Sequence, residues 1–224
     1  MTHLEQELTQ LRSDLFEMWS LVLKQVKSSR DALINFDKDI AAEIRYKEKM
    51  VDAFELKLDR DCENLIALHT PVAVDLRLTL AVLKINTNLE RIADFAKSIA
   101  SFVLYCNKES LNPELLQVTQ IRDIFDNAID MLSETRKALK HENSKMAIQT
   151  FVKDDFLDEM NEKSTAIISE YIAKHPEESE EALTLYSIIK KLERIGDHCS
   201  NIAEEIVFYM DAKVLKHGGL DHED

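Results

Sequence analysis

Glycine and proline are scarce in this chain, which has three residues of each among its 224. Average proteins contain roughly 7% glycine and 5% proline, and both residues interrupt helices, so their scarcity predicts long helices. Hydrophobic residues make up 45% of the chain and aromatic residues only 7%. That hydrophobic share is enough to bury a core and excludes a disordered chain, so the composition predicts an all-α fold.

Positive charge is also in short supply, because 28 lysine and arginine residues stand against 42 aspartate and glutamate residues, for a net charge of −14. Proteins that bind the phosphates of nucleic acids need clustered lysine and arginine, so we expect no nucleic-acid partner. A strongly acidic protein is better suited to binding cations.

The chain also lacks paired cysteines and long hydrophobic runs. Cys62, Cys106 and Cys199 are odd in number and widely spaced, which favours free, buried thiols in a reducing compartment. No apolar run approaches the roughly 20 residues of a membrane span. The N-terminal stretch MTHLEQELTQ does not resemble a signal or transit peptide. These absences predict a cytoplasmic protein.

The few helix-breaking residues mark the predicted helix ends. Thr70-Pro71, Asn112-Pro113 and His175-Pro176 each read as a helix cap followed by proline at the first helical position. Weaker turns lie at Asn35–Asp37, with Asp37 as a cap, and at 141–144, while Gly218 and Gly219 close the last helix. The six predicted helices span 3–34, 37–68, 71–106, 113–140, 144–174 and 176–216.

Short connections between long helices predict antiparallel neighbours, hence two repeated antiparallel three-helix bundles. The polar connector NKESLNP divides them. The predicted organisation is a first bundle at 1–106, a linker at 107–112, a second bundle at 113–217 and an acidic tail at 218–224.

Two similar segments carry the clearest functional signal: LERIADFAKSIA begins at Leu89 and LERIGDHCSNIAEE begins at Leu192. Each places a glutamate and an aspartate four residues apart, at Glu90 and Asp94 and again at Glu193 and Asp197. Such pairs share one helix face and repel by a few tenths of a kcal/mol unless a cation lies between them.

Apolar residues at alternating spacings of four and three around these pairs predict the seam that packs inside each bundle. They are Ile85, Leu89, Ile92, Ala96, Ile99 and Val103 in one segment, and Ile188, Leu192, Ile195, Cys199, Ile202 and Ile206 in the other. The acidic pairs fall off this seam, so a metal bound there would lie on the outer surface of a bundle. Di-iron carboxylate proteins differ, because their ligands point into the bundle.

The second helix of each predicted bundle supplies a matching acidic pair, Glu48 with Asp52 and Asp154 with Asp158. Each bundle would then bring four carboxylates together, a donor set that suits Mg²⁺, Ca²⁺, Mn²⁺ or iron and suits zinc less well. Acidic pairs are also common on the solvated faces of acidic proteins, so a metal-free surface remains an alternative.

The segments Leu65–Ala100 and Leu192–Met210, with weaker support from Met18–Leu33, resemble the PhoU family of bacterial and archaeal phosphate-transport regulators. The resemblance implies two three-helix bundles whose E(D)xxxD motifs hold surface metal ions or clusters. It assigns this role to Glu48, Asp52, Glu90, Asp94, Asp154, Asp158, Glu193 and Asp197.

The first copy of the motif departs from the family pattern, with Ala93 where glycine is usual and Phe95 where histidine is usual. In the second half, Glu178 and Glu180 stand opposite Asp75 and Arg77 of the first-half segment PVAVDLR. The two bundles are therefore expected to differ in metal affinity or nuclearity.

By resemblance, the function is negative regulation of phosphate uptake and of the phosphate-starvation response. The protein would couple the ATPase subunit of a phosphate ABC transporter to a phosphate-sensing histidine kinase, reach the membrane only through partners, and form a homodimer. Asp75 and Arg77 are a possible partner surface, with a local ion pair as the alternative. No nucleophile with an adjacent base and no phosphate-binding glycine loop occurs in the sequence, so no enzymatic activity is expected.

Three other functions compete with this interpretation. An accessory protein of a low-affinity phosphate permease shares the same fold by resemblance, and a metal-free helical scaffold needs only a solvated acidic face. A di-metal carboxylate enzyme would require Glu-x-x-His pairs, whereas Gly196 stands three residues after Glu193.

Overall fold

The computed structural model describes residues 2–215. Within that range the chain forms α-helices and one short 3₁₀ turn, and the fold is all-helical. The helices are α1 (His3–Asn35), α2 (Lys38–His69), α3 (Ala73–Tyr105), α4 (Pro113–Val118), α5 (Ile121–Lys140), α6 (Ser144–Lys174) and α7 (Ser179–Asp211), with a 3₁₀ turn at Pro176–Glu178. The predicted acidic tail, including Gly218 and Gly219, lies outside the described residues.

Side-chain caps account for several helix starts. The carboxylate of Asp37 accepts hydrogen bonds from the backbone N–H groups of Asp39 and Ile40, and Asn112 caps α4 with Pro113 in the first turn. Both predicted caps are confirmed. They are favourable because they satisfy backbone N–H groups that have no partner within the helix.

The prediction of a helix start at Thr70-Pro71 is wrong. Thr70 ends α2 in the left-handed conformation, with φ at 42°, and α3 begins only at Ala73. A residue that precedes proline is disfavoured in the right-handed helical region, because the proline ring clashes with it. Thr70 therefore leaves the helix instead of capping the next one.

The predicted helix 113–140 is broken in the structure into α4 and α5. Gln120 takes a left-handed conformation, with φ at 51°, and the Thr119 hydroxyl donates to the backbone carbonyl of Leu115. Leu115 and Ile121, on either side of the break, are fully buried. The last helix also ends at Asp211 instead of near residue 216, with Ala212 as its left-handed C-cap.

The helices form two bundles, because α1, α2 and α3 pack on one another and α5, α6 and α7 do the same. All twelve predicted seam residues of α3 and α7 are at most 2% exposed. Cys62 and Cys199 are buried free thiols, and Cys106 is partly buried. The predicted pair of repeated three-helix bundles is confirmed.

The two bundles pack against each other along α3 and α7 and through α1 and α5. Lys84 pairs with Glu205 at 2.8 Å, and Lys108 pairs with Glu181, so α3 and α7 run antiparallel. Trp19 of α1 is fully buried, and its indole N–H donates to the backbone carbonyl of Leu132 in α5 at 3.1 Å.

None of the helices within 2–215 combines the length and the apolar character that a membrane crossing requires.

Replacing Trp19 with phenylalanine should weaken the contact between the bundles. The change removes the hydrogen bond to the Leu132 carbonyl and leaves a void, a combined loss of about 2 kcal/mol of unfolding free energy. For a chain of this size that corresponds to a fall in Tm of about 4–8 °C, measured by circular dichroism. A matched substitution at the exposed Tyr46, Tyr46→Phe, should leave Tm unchanged; an unchanged Tm in Trp19→Phe would contradict the assignment.

Candidate metal centre

Three carboxylates of the second bundle come together across two helices. Asp158 of α6 and Glu193 and Asp197 of α7 offer oxygen atoms that all lie within 4.8 Å of one another. Asp158 and Asp197 are exposed, and Glu193 is partly buried. The cluster forms because Glu193 and Asp197 lie one turn apart on the same helix face and α6 packs alongside α7.

Asp154 lies one turn before Asp158 and differs from the other three. Its Oδ2 accepts a hydrogen bond from the Ser200 hydroxyl at 2.6 Å. Its Oδ1 is shielded from solvent and has no hydrogen-bond partner. Asp154, Asp158 and Asp197 line one cleft of about 440 Å³, and Asp155 and Glu204 add two further carboxylates to its walls.

The acidity of this cluster is weakened by its surroundings. Burial raises the pKa of Asp154 to about 6, and the nearby carboxylates of Asp158 and Asp197 contribute in the same direction. Burial also raises the pKa of Glu193 and that of Asp197, each with added repulsion from Asp158. Crowded, partly buried carboxylates of this kind are stabilised by a proton or by a bound cation.

Gly196 permits the close approach of α7 to Asp154. A Cβ atom at this position would lie 2.5 Å from Leu157 Cδ1 and 2.6 Å from Asp154 Oδ1. In the first bundle the equivalent residue is Ala93, and the smaller Val51 stands at the position equivalent to Leu157. The extra methyl group is on α3 in the first bundle and on α6 in the second, so the two pairs of residues have a similar total volume.

The first bundle carries the corresponding residues in a different arrangement. Burial raises the pKa of Glu90 to about 7, and repulsion from Asp94 and Glu55 adds to the effect. Arg91 lies 3.5 Å from Glu90 and 3.9 Å from Asp94, so it forms ion pairs with both acids. The crowding of acids is therefore common to both bundles.

Glu48 and Asp52 complete the predicted first-bundle set, but Glu48 is already paired. Its carboxylate is 6% exposed and accepts a hydrogen bond from the Lys97 ammonium group. The same ammonium group lies 3.8 Å from Asp94 Oδ1. Asp52 is partly buried. Within residues 2–215, only the trio in the second bundle brings three ligand atoms within 4.8 Å of one another.

Sequence reasoning missed four residues that shape these clusters. Lys97 and Ser200 contact the acids described above, Asn161 donates to Glu193 Oε1 at 3.1 Å, and Glu55 adds repulsion to Glu90. The sequence repeat could have identified them. Asp94 and Asp197 are separated by 103 residues, and the same separation relates Lys97 to Ser200. On α2 and α6 the separation is 106 residues, as between Asp52 and Asp158, and it likewise relates Glu55 to Asn161.

Asp75 and Arg77, predicted as a possible partner surface, lie near the start of α3 and are partly buried. Arg77 Nε donates to the backbone carbonyl of Tyr209 at 3.1 Å and so ties α3 to the end of α7. The guanidinium group therefore makes an intramolecular hydrogen bond. Within the described residues, no ion pair joins Arg77 to Asp75.

His198 follows Asp197 but faces the other bundle. Its Nδ1 lies 2.7 Å from Asn88 Oδ1, and its ring lies 5.8 Å from that of Phe95. Burial lowers the pKa of His198 to about 4, with further lowering by Arg194 and Arg91. The imidazole is neutral at physiological pH and belongs to the contact between the bundles.

The second bundle fits a hard cation by its donor set and by the unpartnered Oδ1 of Asp154, since carboxylate oxygens are the preferred ligands of such ions. The first bundle fits one poorly, because Lys97 already neutralises Glu48.

Gly196→Ala should destabilise the second bundle, since the new methyl group would overlap Leu157 and Asp154. Overpacking of this kind costs about 1–3 kcal/mol. The double variant Gly196→Ala/Leu157→Val copies the first-bundle pair and should recover part of the loss, as measured by a double-mutant cycle of denaturant unfolding. Additive losses in the double variant would contradict the proposed contact.

Glu90→Gln should stabilise the metal-free chain at pH 8 but not at pH 5. Because the native pKa of Glu90 is raised to about 7, its ionisation lowers native stability as pH rises from about 4.5 to 7. The side chain is 17% exposed, so after solvent screening we expect a gain of about 1 kcal/mol, or about 2–4 °C in Tm.

The control for this measurement is Glu170→Gln. The pKa of Glu170 is lowered by its hydrogen bond to Lys174, so removing this exposed carboxyl should give no gain at pH 8. A Glu90→Gln variant with the same Tm difference from the wild type at both pH values would refute the crowding argument.

Comparison with known proteins places this chain in a family. The model of the PhoU domain matches the chain twice, at residues 15–103 and 121–206. The phosphate-specific transport system accessory protein PhoU homolog 1 of Thermotoga maritima is 29% identical over 214 residues, which cover 96% of this chain and 91% of that protein. The PhoU homolog of Zymomonas mobilis is 32% identical over 212 residues, with coverages of 94% and 88%.

A solved structure agrees with the sequence comparison. The crystal structure of PhoU from Pseudomonas aeruginosa has a TM-score of 0.88 and 28% identity, and the match covers 93% of this chain and 99% of that one. The family model covers most of both bundles. The chain belongs to the PhoU family.

Proposed function

We propose that this chain is an accessory protein of a phosphate-specific transport system and a negative regulator of phosphate uptake and of the phosphate-starvation response. The observation that carries the proposal is the match of a PhoU domain to each bundle, together with relatives named as accessory proteins of that transport system. In this role the chain acts in the cytoplasm as a non-enzymatic adaptor between the ATPase subunit of the transporter and a phosphate-sensing histidine kinase.

The adaptor carries a metal ion as a structural element. Asp158, Glu193 and Asp197 hold it, with Asp154 in the second position on α6, and the supporting observation is the 4.8 Å grouping of the first three. A hard cation such as Mg²⁺, Mn²⁺, Ca²⁺ or iron supplies positive charge that offsets the repulsion among these carboxylates and joins α6 to α7. The chain acts as a homodimer, which size-exclusion chromatography with light scattering would detect.

Deleting the gene should derepress phosphate-starvation genes in cells grown in high phosphate, because the restraint on the histidine kinase is lost. A reporter fused to a starvation-induced promoter measures this. Wild-type chain supplied in trans should restore repression. The control variant Glu170→Gln, which alters an exposed carboxylate outside both clusters, should restore it equally well.

The same strain separates this proposal from its closest competitor. If the reporter stays repressed after deletion while uptake through a low-affinity permease changes, the chain is an accessory protein of that permease. Co-purification of the tagged chain with the transporter ATPase is the physical counterpart, and its absence under conditions that recover a known ATPase partner would contradict the adaptor role.

A further inference from the structure

One of the differences between the two acidic clusters replaces a cationic side chain with a neutral one. Lys97 in α3 stands where Ser200 stands in α7. The Lys97 ammonium group donates to Glu48, lies 3.8 Å from Asp94 Oδ1, and interacts electrostatically with Asp52. One lysine therefore contacts or faces three of the four first-bundle carboxylates that the family pattern marks as metal ligands.

Ser200 gives the second cluster no cationic side chain at the position equivalent to Lys97. Its hydroxyl donates to Asp154 Oδ2 but is neutral, and Asp154 Oδ1 keeps no partner. Among the described residues, no lysine, arginine or histidine forms an ion pair with Asp154, Asp158, Glu193 or Asp197. Lys190 and Arg194 offset part of the burial-driven rise in the pKa of Glu193, and Arg194 offsets part of that of Asp197, but only through longer-range attraction. The second cluster therefore retains an unmet need for a cation.

A metal ion in the first bundle would have to displace the Lys97 ammonium group. Glu48 is 6% exposed, so its buried carboxylate requires a cationic partner, and Lys97 already supplies one. The ammonium group is also covalently attached, so it acts at a high effective concentration that a metal from solution must overcome. Both effects favour the lysine over the ion.

We propose that Lys97 is a built-in cation that replaces the metal ion of the first bundle, so that this chain binds metal only through its second bundle. The inference rests on the metal binding proposed above and assigns it to one half of the chain. Lys97 thus stabilises the packing of α2 against α3 without any ion.

Manganese binding to the full-length, metal-free chain tests the assignment. Mn²⁺ is a hard cation, and its free concentration is read directly by electron paramagnetic resonance. Wild-type chain should bind Mn²⁺, Asp197→Asn should bind it at least about tenfold more weakly, and Asp94→Asn should bind it as the wild type does. Loss of Mn²⁺ in Asp94→Asn but not in Asp197→Asn overturns the inference and leaves metal binding intact.

Exchanging the two residues gives the reciprocal test. Lys97→Ser should create additional Mn²⁺ binding that Asp94→Asn then removes, and Ser200→Lys should abolish the binding of the second bundle. Lys97→Gln keeps a hydrogen-bond donor for Glu48 without the charge, so it separates loss of the cation from loss of packing. Circular dichroism checks that each variant is folded.

The outcomes separate this inference from the proposal on which it rests. If the wild type binds no Mn²⁺, the proposed metal function fails. The role of Lys97 as a built-in cation is then tested by Mn²⁺ binding to the Lys97 variants alone. New binding in Lys97→Ser or Lys97→Gln then still supports a built-in cation, whereas no new binding in either folded variant overturns it.

Discussion

Repulsion among carboxylates that share one helix face is the constraint on which both halves of this structure depend. Each half brings acids from two neighbouring helices to one place, and each therefore needs positive charge. The first half contains that charge in Lys97, which pairs with Glu48. In the second half, no ion pair among residues 2–215 involves Asp158, Glu193 or Asp197, which lie grouped together. Similar arrangements of acids thus pair with a lysine in one half and have no such partner in the other.

One pair of exchanges between the two repeats conserves side-chain volume. Where the second bundle packs Gly196 against Leu157, the equivalent positions of the first bundle hold Ala93 and Val51, so the summed side-chain size is the same. The cost of overpacking explains why such changes come in pairs. Because Gly196 carries no side chain, Asp154 Oδ1 can approach α7 at a distance that any Cβ would prevent.

Much of the fold could be predicted because helical periodicity and caps are local properties. The seam residues of α3 and α7 are buried as predicted, and Asp37 and Asn112 cap the helices that follow them. The break between α4 and α5 could not be predicted, because Gln120 enters the left-handed region without a glycine or proline to mark it. Leu115 and Ile121 are fully buried on either side of that break, so it coincides with tertiary packing that a local sequence pattern does not reveal.

The candidate site was predicted only in part, because local spacing identifies residues on one helix but not their contacts with the next. A spacing of four residues establishes that Glu90 and Asp94 share a face, but it does not reveal what the neighbouring helix brings to them. The pairing of Lys97 with Glu48 joins two residues that are 49 positions apart. Comparison of the two repeats, position by position, is the one sequence argument that reaches this contact, since it sets Lys97 opposite Ser200.

Helix α7 links the acidic cluster to the contact between the bundles. Glu193 and Asp197 belong to the cluster, whereas the next residues in the chain, Arg194 and His198, contact Phe95 of α3. Successive residues of a helix point about 100° apart, so one rigid helix presents the cluster on one face and the interface on the next. Any rotation of α7 that changes the distances among the carboxylates must also move His198 and Arg194 against Phe95. The geometry of the acidic cluster and the packing of the two bundles are therefore mechanically coupled through α7.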